Sequence, residues 1–449
     1  MKNCLCLFFC VVLILCLVAA CGTPSPEPAP AQPNAPAPAE PDAPAAEPAA
    51  PAPAGTDPVS ISFQYIGGTV PAVDEVIAET IAFFEAANPH ITVSPIFVNW
   101  GNAHSQFVNS VMAGMAPDVS QLAGTWCLEF IDKGAFAPIA DYVDAAIIDT
   151  WLPSSYEIMI GADGLLYGSP LDGCSWGFFY RTDLFEEAGI NGPPTTWDEF
   201  LDYGKQLSGG GKYGVTMALA GWEASQYYLP YVWQTGAQIY NESGGEFTPN
   251  FDDPNVMMGT KFFYDLFNTH RIASQDVTGL DWEGSMKVFA EGDAAMMFNG
   301  MWVVNTLRSG YPEIDGKWAT ALNPVGPNGV VTGLSYPNTL HITSQSQHKD
   351  VAGQFLNTFY GEGFYERFCM ESGVFATTKD FINLDYSSDP LLKPFIELST
   401  LNAHNFPAAP KYQEFRDIYF EAGIQALALN MVSPEEFAKQ MSDGFSTFH

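Results

Sequence analysis

The sequence predicts an α/β protein whose sheets are wound with helices on both faces. The first sign is the alternation of short apolar strands with amphipathic helices from residue 59 onward, a β-α-β-α-β order that implies parallel strands. The second is size, because about 390 residues follow a Pro/Ala-rich stretch, more than one compact core accommodates, so two lobes are the default. The third is composition. The 449 residues carry 51 acidic and 17 basic side chains, a net charge of −34, and only five of the acids and one of the bases precede Pro58. Such a surface repels phosphate backbones, so nucleic acid is excluded as a partner.

Residues 1–21 start with Lys2 close to the N-terminus, run through an apolar core from Leu5 to Val18, and end in Ala19 and Ala20 before Cys21. This is the layout of a secretory signal peptide, and the run is shorter than the roughly 20 residues a membrane-spanning helix needs. The segment Val18-Ala19-Ala20-Cys21-Gly22 resembles the bacterial lipobox, in which the cysteine takes a lipid and becomes the new N-terminus. On that reading Cys21 is a lipid anchor. The protein is then exported and held on the outer face of the cell membrane, in the periplasm if an outer membrane is present. Residues 22–57 are Pro, Ala and Glu with almost no large apolar side chain, too little to offset chain entropy by burial. Polyproline II at about 3.1 Å per residue makes them a semi-stiff tether on the order of 100 Å long.

Beyond the tether, "VSISFQYIGG" reads as a strand ending in a glycine turn. The next stretch puts Val73, Val76, Ile77, Ile81 and Phe84 on one helical face and stops at Asn88-Pro89. "HITVSPIFV" is a second strand, "SQFVNSVMAGM" a helix, and "APDVSQL" a turn leading into a third strand. Ligands of such sheets sit beyond the carboxyl ends of the strands. That rule selects Tyr65, Gly67 and Gly68, then Trp100, then Gly124, Thr125 and Trp126. Farther on, "LLYGSPL" and "WGFFY" read as two short strands, followed by a brief helix ending at Gly189 and a helix opened by a capping box from Thr196 to Glu199. "KYGVTMAL" is another strand. The segment at 285–307 reads as a helix, a Gly292-Asp293 turn, a buried strand and a new helix near Gly300.

Four of the eight cysteines leave with the signal peptide, and Cys21 carries the lipid. Cys127, Cys174 and Cys369 remain, allowing at most one disulfide, and no CxxC or His/Cys spacing suggests a zinc or redox site. No cofactor or metal is implied. There is no GxSxG, HExxH, Rossmann fingerprint or EF-hand loop, and "SGGGKYG" lacks the spacing of a phosphate loop. A carboxylate pair for glycoside hydrolysis is the enzymatic alternative. The expectation is binding without catalysis.

"PDV" at 117–119, the run from "YGSPL" to "TTWDEF" at 167–200, "FAEGDAAMMFNGMW" at 289–302 and "VAGQFLNTF" at 351–359 resemble, in order and spacing, family 1 extracellular solute-binding proteins. These are the sugar-capturing components of bacterial ABC importers. The resemblance implies two doubly wound α/β lobes joined by a hinge, of the periplasmic-binding-protein type II kind, which close on a ligand in the cleft. It implies crossings near Ser169 to Cys174 and near Pro324 to Gly333, and a return after Gly361. The N-terminal lobe would then take 58–171 and 325–361, and the C-terminal lobe 172–324 and 362–449. The implied partners are a sugar or oligosaccharide, two permease subunits with their ATPase, and the membrane through Cys21; the protein itself would be a monomer.

A sugar offers apolar C–H faces and a rim of hydroxyls, so its site needs aromatic platforms with amides and carboxylates at fixed positions. Trp302 follows the strand "AAMMFN" through an Asn299-Gly300 turn, which sets an indole at a strand end where the family's comparable tryptophan stacks on sugar. Asn299 is a hydrogen-bonding candidate or a plain turn residue. Asp172 and Trp176 flank the first crossing, where the family contacts ligand. Tyr228 and Trp233 lie in "GWEASQYYLPYVWQTGA", where the family supplies stacking or the core takes its aromatics. Tyr336 sits in the second crossing, and Tyr412 follows Pro410 in the C-terminal helices. A polyamine, held by carboxylates and aromatic walls, is the other solute this acidic chain suits. A phosphorylated ligand would want basic side chains, and none lies among these candidates. A neutral sugar or oligosaccharide therefore leads.

Overall fold

Strands β1 (Val59–Ile66) and β2 (Ile91–Val98) pair in parallel along their whole length, with Val59 opposite Ile91 and Ile66 opposite Val98. The computed structural model describes residues 57–67, 70–379, 388–401, 403–407, 409 and 411–449. The signal peptide, Cys21 and all but the last residue of the tether lie outside the described residues. Between β1 and β2 runs helix Pro71–Ala87, which opens on proline, where the missing N–H has no helical partner to lose. It buries Val73, Val76, Ile77, Thr80 and Phe84, while Ile81 packs at the margin of the core. Strand β3 (Val119–Ala123) joins the other edge of β1, also in parallel. The expected β-α-β-α-β unit is present.

Where the sequence reads two short strands, the chain forms one, β4 (Ser169–Tyr180), 12 residues long and almost wholly buried. Leu166 makes only an isolated bridge to Ile160. The middle of β4 is small and polar, so its side chains read as a break, but its backbone is paired on both sides. Gly173 lies opposite Pro337 and also exchanges two 2.9 Å hydrogen bonds with Phe375. Backbone pairing, not hydrophobic pattern, keeps the segment extended.

Strands β5 (Tyr213–Thr216) and β8 (Ala294–Gly300) are parallel to each other, and β9 (Ala319–Ala321) lies on β4. A hairpin of β6 (Tyr240–Ser243) and β7 (Glu246–Pro249) stands apart, and the two-residue β11 (Ala403–His404) pairs with β10 (Gly333–Ile342). The main sheet runs β2-β1-β3-β10-β4-β8-β5. It is parallel toward its ends and antiparallel where β10 and β4 pass through its centre. β4 pairs with β10 through its first half and with β8 through its second, so it and β10 are the long strands that join two α/β lobes.

Helices Lys349–Gly361 and Phe364–Ser372 both pack on helix Pro71–Ala87. Helices Glu421–Ala428 and Pro434–Phe445 pack on Ala224–Trp233 and Pro254–Phe267 instead. The packing partner thus changes after Ser372 and not after Gly361, because helix Phe364–Ser372 still covers the first helix of the chain. The capping box expected at Thr196 is half formed. Thr196 accepts the Glu199 N–H, but the Glu199 carboxylate turns to Thr195, accepting its N–H and hydroxyl at 2.7 and 2.6 Å. Cys127, Cys174 and Cys369 are buried free thiols. No helix among the described residues is long and apolar enough to cross a membrane.

Candidate functional site

The carboxyl ends of β1, β2 and β3 converge on a cavity of about 900 Å³, part of it open to solvent. Tyr65 and Ile66 end β1, Asn99 and Trp100 follow β2, and Gln121 lies in β3. Asn99 accepts the Asn102 N–H and so caps helix Trp100–Met112 at the cavity's rim. The crossing strands form the floor, with Asp172, Cys174 and Trp176 from β4 and Tyr336 and Asn338 from β10. The opposite wall is formed by Trp222, Glu223, Gln226, Trp282, Glu283 and Trp302.

Trp302 stands where the strand-end argument sets it, two residues after β8. The Met301 N–H donates to the Ser175 carbonyl at 3.0 Å, which ties this turn to β4. The Trp302 ring meets Trp176 nearly at right angles at 5.5 Å and Trp282 likewise at 6.0 Å. An edge-to-face set of this kind fixes an indole's orientation before any ligand arrives. Across from it, buried Asp172 accepts from Asn338 Nδ2 at 3.0 Å and from the Cys174 thiol at 3.1 Å. Burial pushes the Asp172 carboxyl up to about 6 against those two hydrogen bonds. The Tyr336 hydroxyl donates to Gln226 Oε1 at 3.2 Å, which links the floor to the second wall.

Of the side chains expected to meet ligand, Tyr65, Trp100, Asp172, Trp176, Trp302 and Tyr336 line this cavity. Trp126 lines an adjoining one of about 1000 Å³, shared with Trp100, His104, Trp222, Arg416 and Glu421. Trp100, Trp126 and Trp222 sit within 6.1 to 6.4 Å of one another and divide the two spaces. Four other expected contacts lie away from the cavity, each for a packing reason. Tyr228 is fully buried among Phe263, Phe420 and Phe437, with its hydroxyl on Thr260 at 2.6 Å. Trp233 stacks on His404 at 4.8 Å and donates to Gln238. Asn299 is consumed locally, accepting the Gly300 N–H and donating to the Trp282 carbonyl. Tyr412 is buried beside Phe415.

The sequence reading missed Trp222, Glu223, Gln226, Trp282, Glu283, Gln121 and Asn338. Trp222 and Glu223 form the short turn before helix Ala224–Trp233. Trp282 and Glu283 open a helix capped by Asp281, whose side chain accepts the Gly284 N–H. Helix openings were therefore the available signal, stronger than the aromatic run inside the helix. Asn338 carried none, because its partner Asp172 is 166 residues away.

Residues 67–364 match the sequence profile of bacterial extracellular solute-binding proteins. A Brucella abortus protein named as a binding protein is 26% identical over 363 residues, 79% of this chain and 85% of its own. The lactose-binding protein of Rhizobium radiobacter is 24% identical over 315 residues, 67% of this chain and 71% of its own. Among solved structures, maltose-bound MalE3 of T. maritima superposes with a TM-score of 0.76 at 23% identity, covering 87% of this chain and 100% of that one. A solute-binding protein of Thermotoga lettingae bound with α-D-tagatose gives 0.77 at 21% identity, covering 87% and 99%. With the type II binding-protein fold in place and the profile matched over most of the folded length, the chain belongs to the bacterial extracellular solute-binding protein family.

Proposed function

We propose that this solute-binding protein captures a sugar or short oligosaccharide in the cavity between its lobes and delivers it to the permease of an ABC importer. One observation carries the reading: an orthogonally braced Trp302 faces the same cavity as the Asp172–Asn338 pair. That joins an apolar platform to hydrogen-bonding groups held at fixed positions, the two things a pyranose requires. The relatives lend support. One binds lactose and another is a maltotriose-binding protein, and the solved neighbours include complexes with maltose, tagatose and cycloalternan.

On this reading Tyr65, Trp100, Asp172, Trp176, Trp302 and Tyr336 are ligand contacts, joined by Gln121, Glu223 and Asn338. The first lobe takes 58–171 with 325–372, the second takes 172–324 with the C-terminal helices, and β4 and β10 serve as the hinge. Cys21 holds the protein at the membrane by its lipid, and residues 22–57 let it swing toward the permease. The protein binds without turning over its ligand. Isothermal titration of the purified protein against mono-, di- and trisaccharides, with glycerol phosphate as a control, tests the reading. One-to-one binding of a sugar that is recovered unchanged is expected; binding of glycerol phosphate alone, or cleavage of the sugar, would overturn it.

A further inference from the structure

The charges of the ligand cavity are one-sided. Asp172, Glu223 and Glu283 line it, and among the described residues no Lys, Arg or His does. Glu223 is only 4% exposed, and its Oε2 is buried with no hydrogen-bond partner. Its carboxylate faces the backbone N–H of Trp282, but the charged groups around it are acidic: Asp281 and Glu283 at the opening of helix Trp282–Glu291, and Glu421 from helix Glu421–Ala428. Tyr227, on the helix that follows, faces it too. Arg416 does not line this cavity but the adjoining one. It lies over the Trp222 ring at 5.6 Å and is engaged by Asp417 at 3.4 Å and Glu421 at 3.6 Å.

A second acceptor in the cavity is also unmet. Asn338 spends its NH₂ on Asp172, and its Oδ1 is buried without a partner. The unmet indole N–H of Trp176 lies beside the Tyr336 hydroxyl, so it does not supply these acceptors. Among the described residues, the cavity thus holds two buried acceptors without partners and no positive charge. A hydroxyl brings one donor together with two acceptor lone pairs, whereas an ammonium brings three donors and no acceptor. Hydrogen bonds from a cation to a carboxylate are roughly twice as strong as neutral ones, and a cation beside indole faces gains further.

Resting on the sugar-receptor reading, we propose that the solute is an amino sugar, or a short oligosaccharide containing one, whose protonated amine is held by Glu223 against the wall of Trp282 and Trp302. Burial, and then the neighbouring acids, disfavour an ionised Glu223 while the cavity holds no cation. A bound ammonium reverses that balance. Asp172 and Asn338 are left to hydrogen-bond the ring hydroxyls.

The test is calorimetric, on the purified protein, with sugars matched except at one substituent. Glucosamine, N-acetylglucosamine and glucose form one set; the glucosamine β-1,4 dimer, its di-N-acetylated form and cellobiose form another; galactosamine with galactose and putrescine complete the panel. The amine-bearing member should bind at least about tenfold tighter than its hydroxyl and acetamide counterparts, and Glu223→Gln should abolish that preference. Should Glu223→Gln fail to fold, the wild type decides. The ratio of amine to neutral-sugar affinity should rise as pH is raised from about 5 toward neutrality and Glu223 gives up its proton, the ratio cancelling the titration of Asp172 that both ligands share, and a flat ratio would overturn the proposal. A neutral sugar binding as tightly as its amine counterpart would overturn it too and leave the sugar-receptor reading standing. Binding of putrescine alone, or silence across the panel, would overturn both.

Discussion

Trp302 reaches the cavity because the residue two positions before it is Gly300. A Cβ at position 300 would lie 2.0 Å from the Trp302 ring, so only glycine lets the indole fold back over its own turn. Gly300→Ala should therefore displace the ring and weaken solute binding about tenfold or more, with Trp302→Ala costing about 30-fold, or about 2 kcal/mol, by titration calorimetry. Asp172 allows a separate test. Its carboxyl titrates near 3.8 when unfolded and is pushed up to about 6 by burial in the fold. A raised acid stabilises the fold at low pH, and that contribution is lost as pH rises from about 4 through about 6. The melting temperature of Asp172→Asn, measured against wild type, should accordingly improve between pH 4 and pH 7. Trp302 and Asp172 were legible because each sits at a strand end or a crossing. Tyr228 and Trp233 were misleading, because an aromatic run on a buried helix carries the same letters whether it faces a core or a cleft.

At the scale of elements, the parallel β1, β2 and β3 unit followed from apolar periodicity, since each strand pairs with a near neighbour in sequence. The centre of the sheet did not. β4 and β10 lie more than 150 residues apart along the chain, and the pairing that makes β4 continuous runs through backbone groups at Gly173 that no side-chain pattern reports. The helix Trp197–Leu207 approaches β5 with the same dependence on small residues. A Cβ on Gly214 would sit 2.5 Å from the Gly204 backbone. Backbone cannot yield as a side-chain tip can, so Gly214→Ala should destabilise the protein by about 1–3 kcal/mol. Chemical denaturation checks this. Solute affinity measured well below the transition should stay at its wild-type value, because neither glycine lines the cavity.

Across the whole molecule, the Trp100, Trp126 and Trp222 contact brings indoles that follow β2 and β3 against the turn before helix Ala224–Trp233, beside the cavity. If β4 and β10 act as a hinge, any opening must part Trp222 from the other two. Intrinsic tryptophan emission should change on solute addition, and Trp222→Phe should remove the share of that change due to its parting from Trp100 and Trp126 while the share from ligand contact at Trp302 remains, with binding followed in parallel by calorimetry. Anchoring is tested at the same scale: Cys21→Ser should release the protein from the membrane fraction of the producing cells. The measurement that bears most directly on the central claim is a crystal structure of the protein with its tightest-binding sugar. The account predicts a pyranose ring against Trp302, with its oxygens on Asp172 and Asn338; a sugar seated elsewhere, with this cavity filled by water alone, would contradict it.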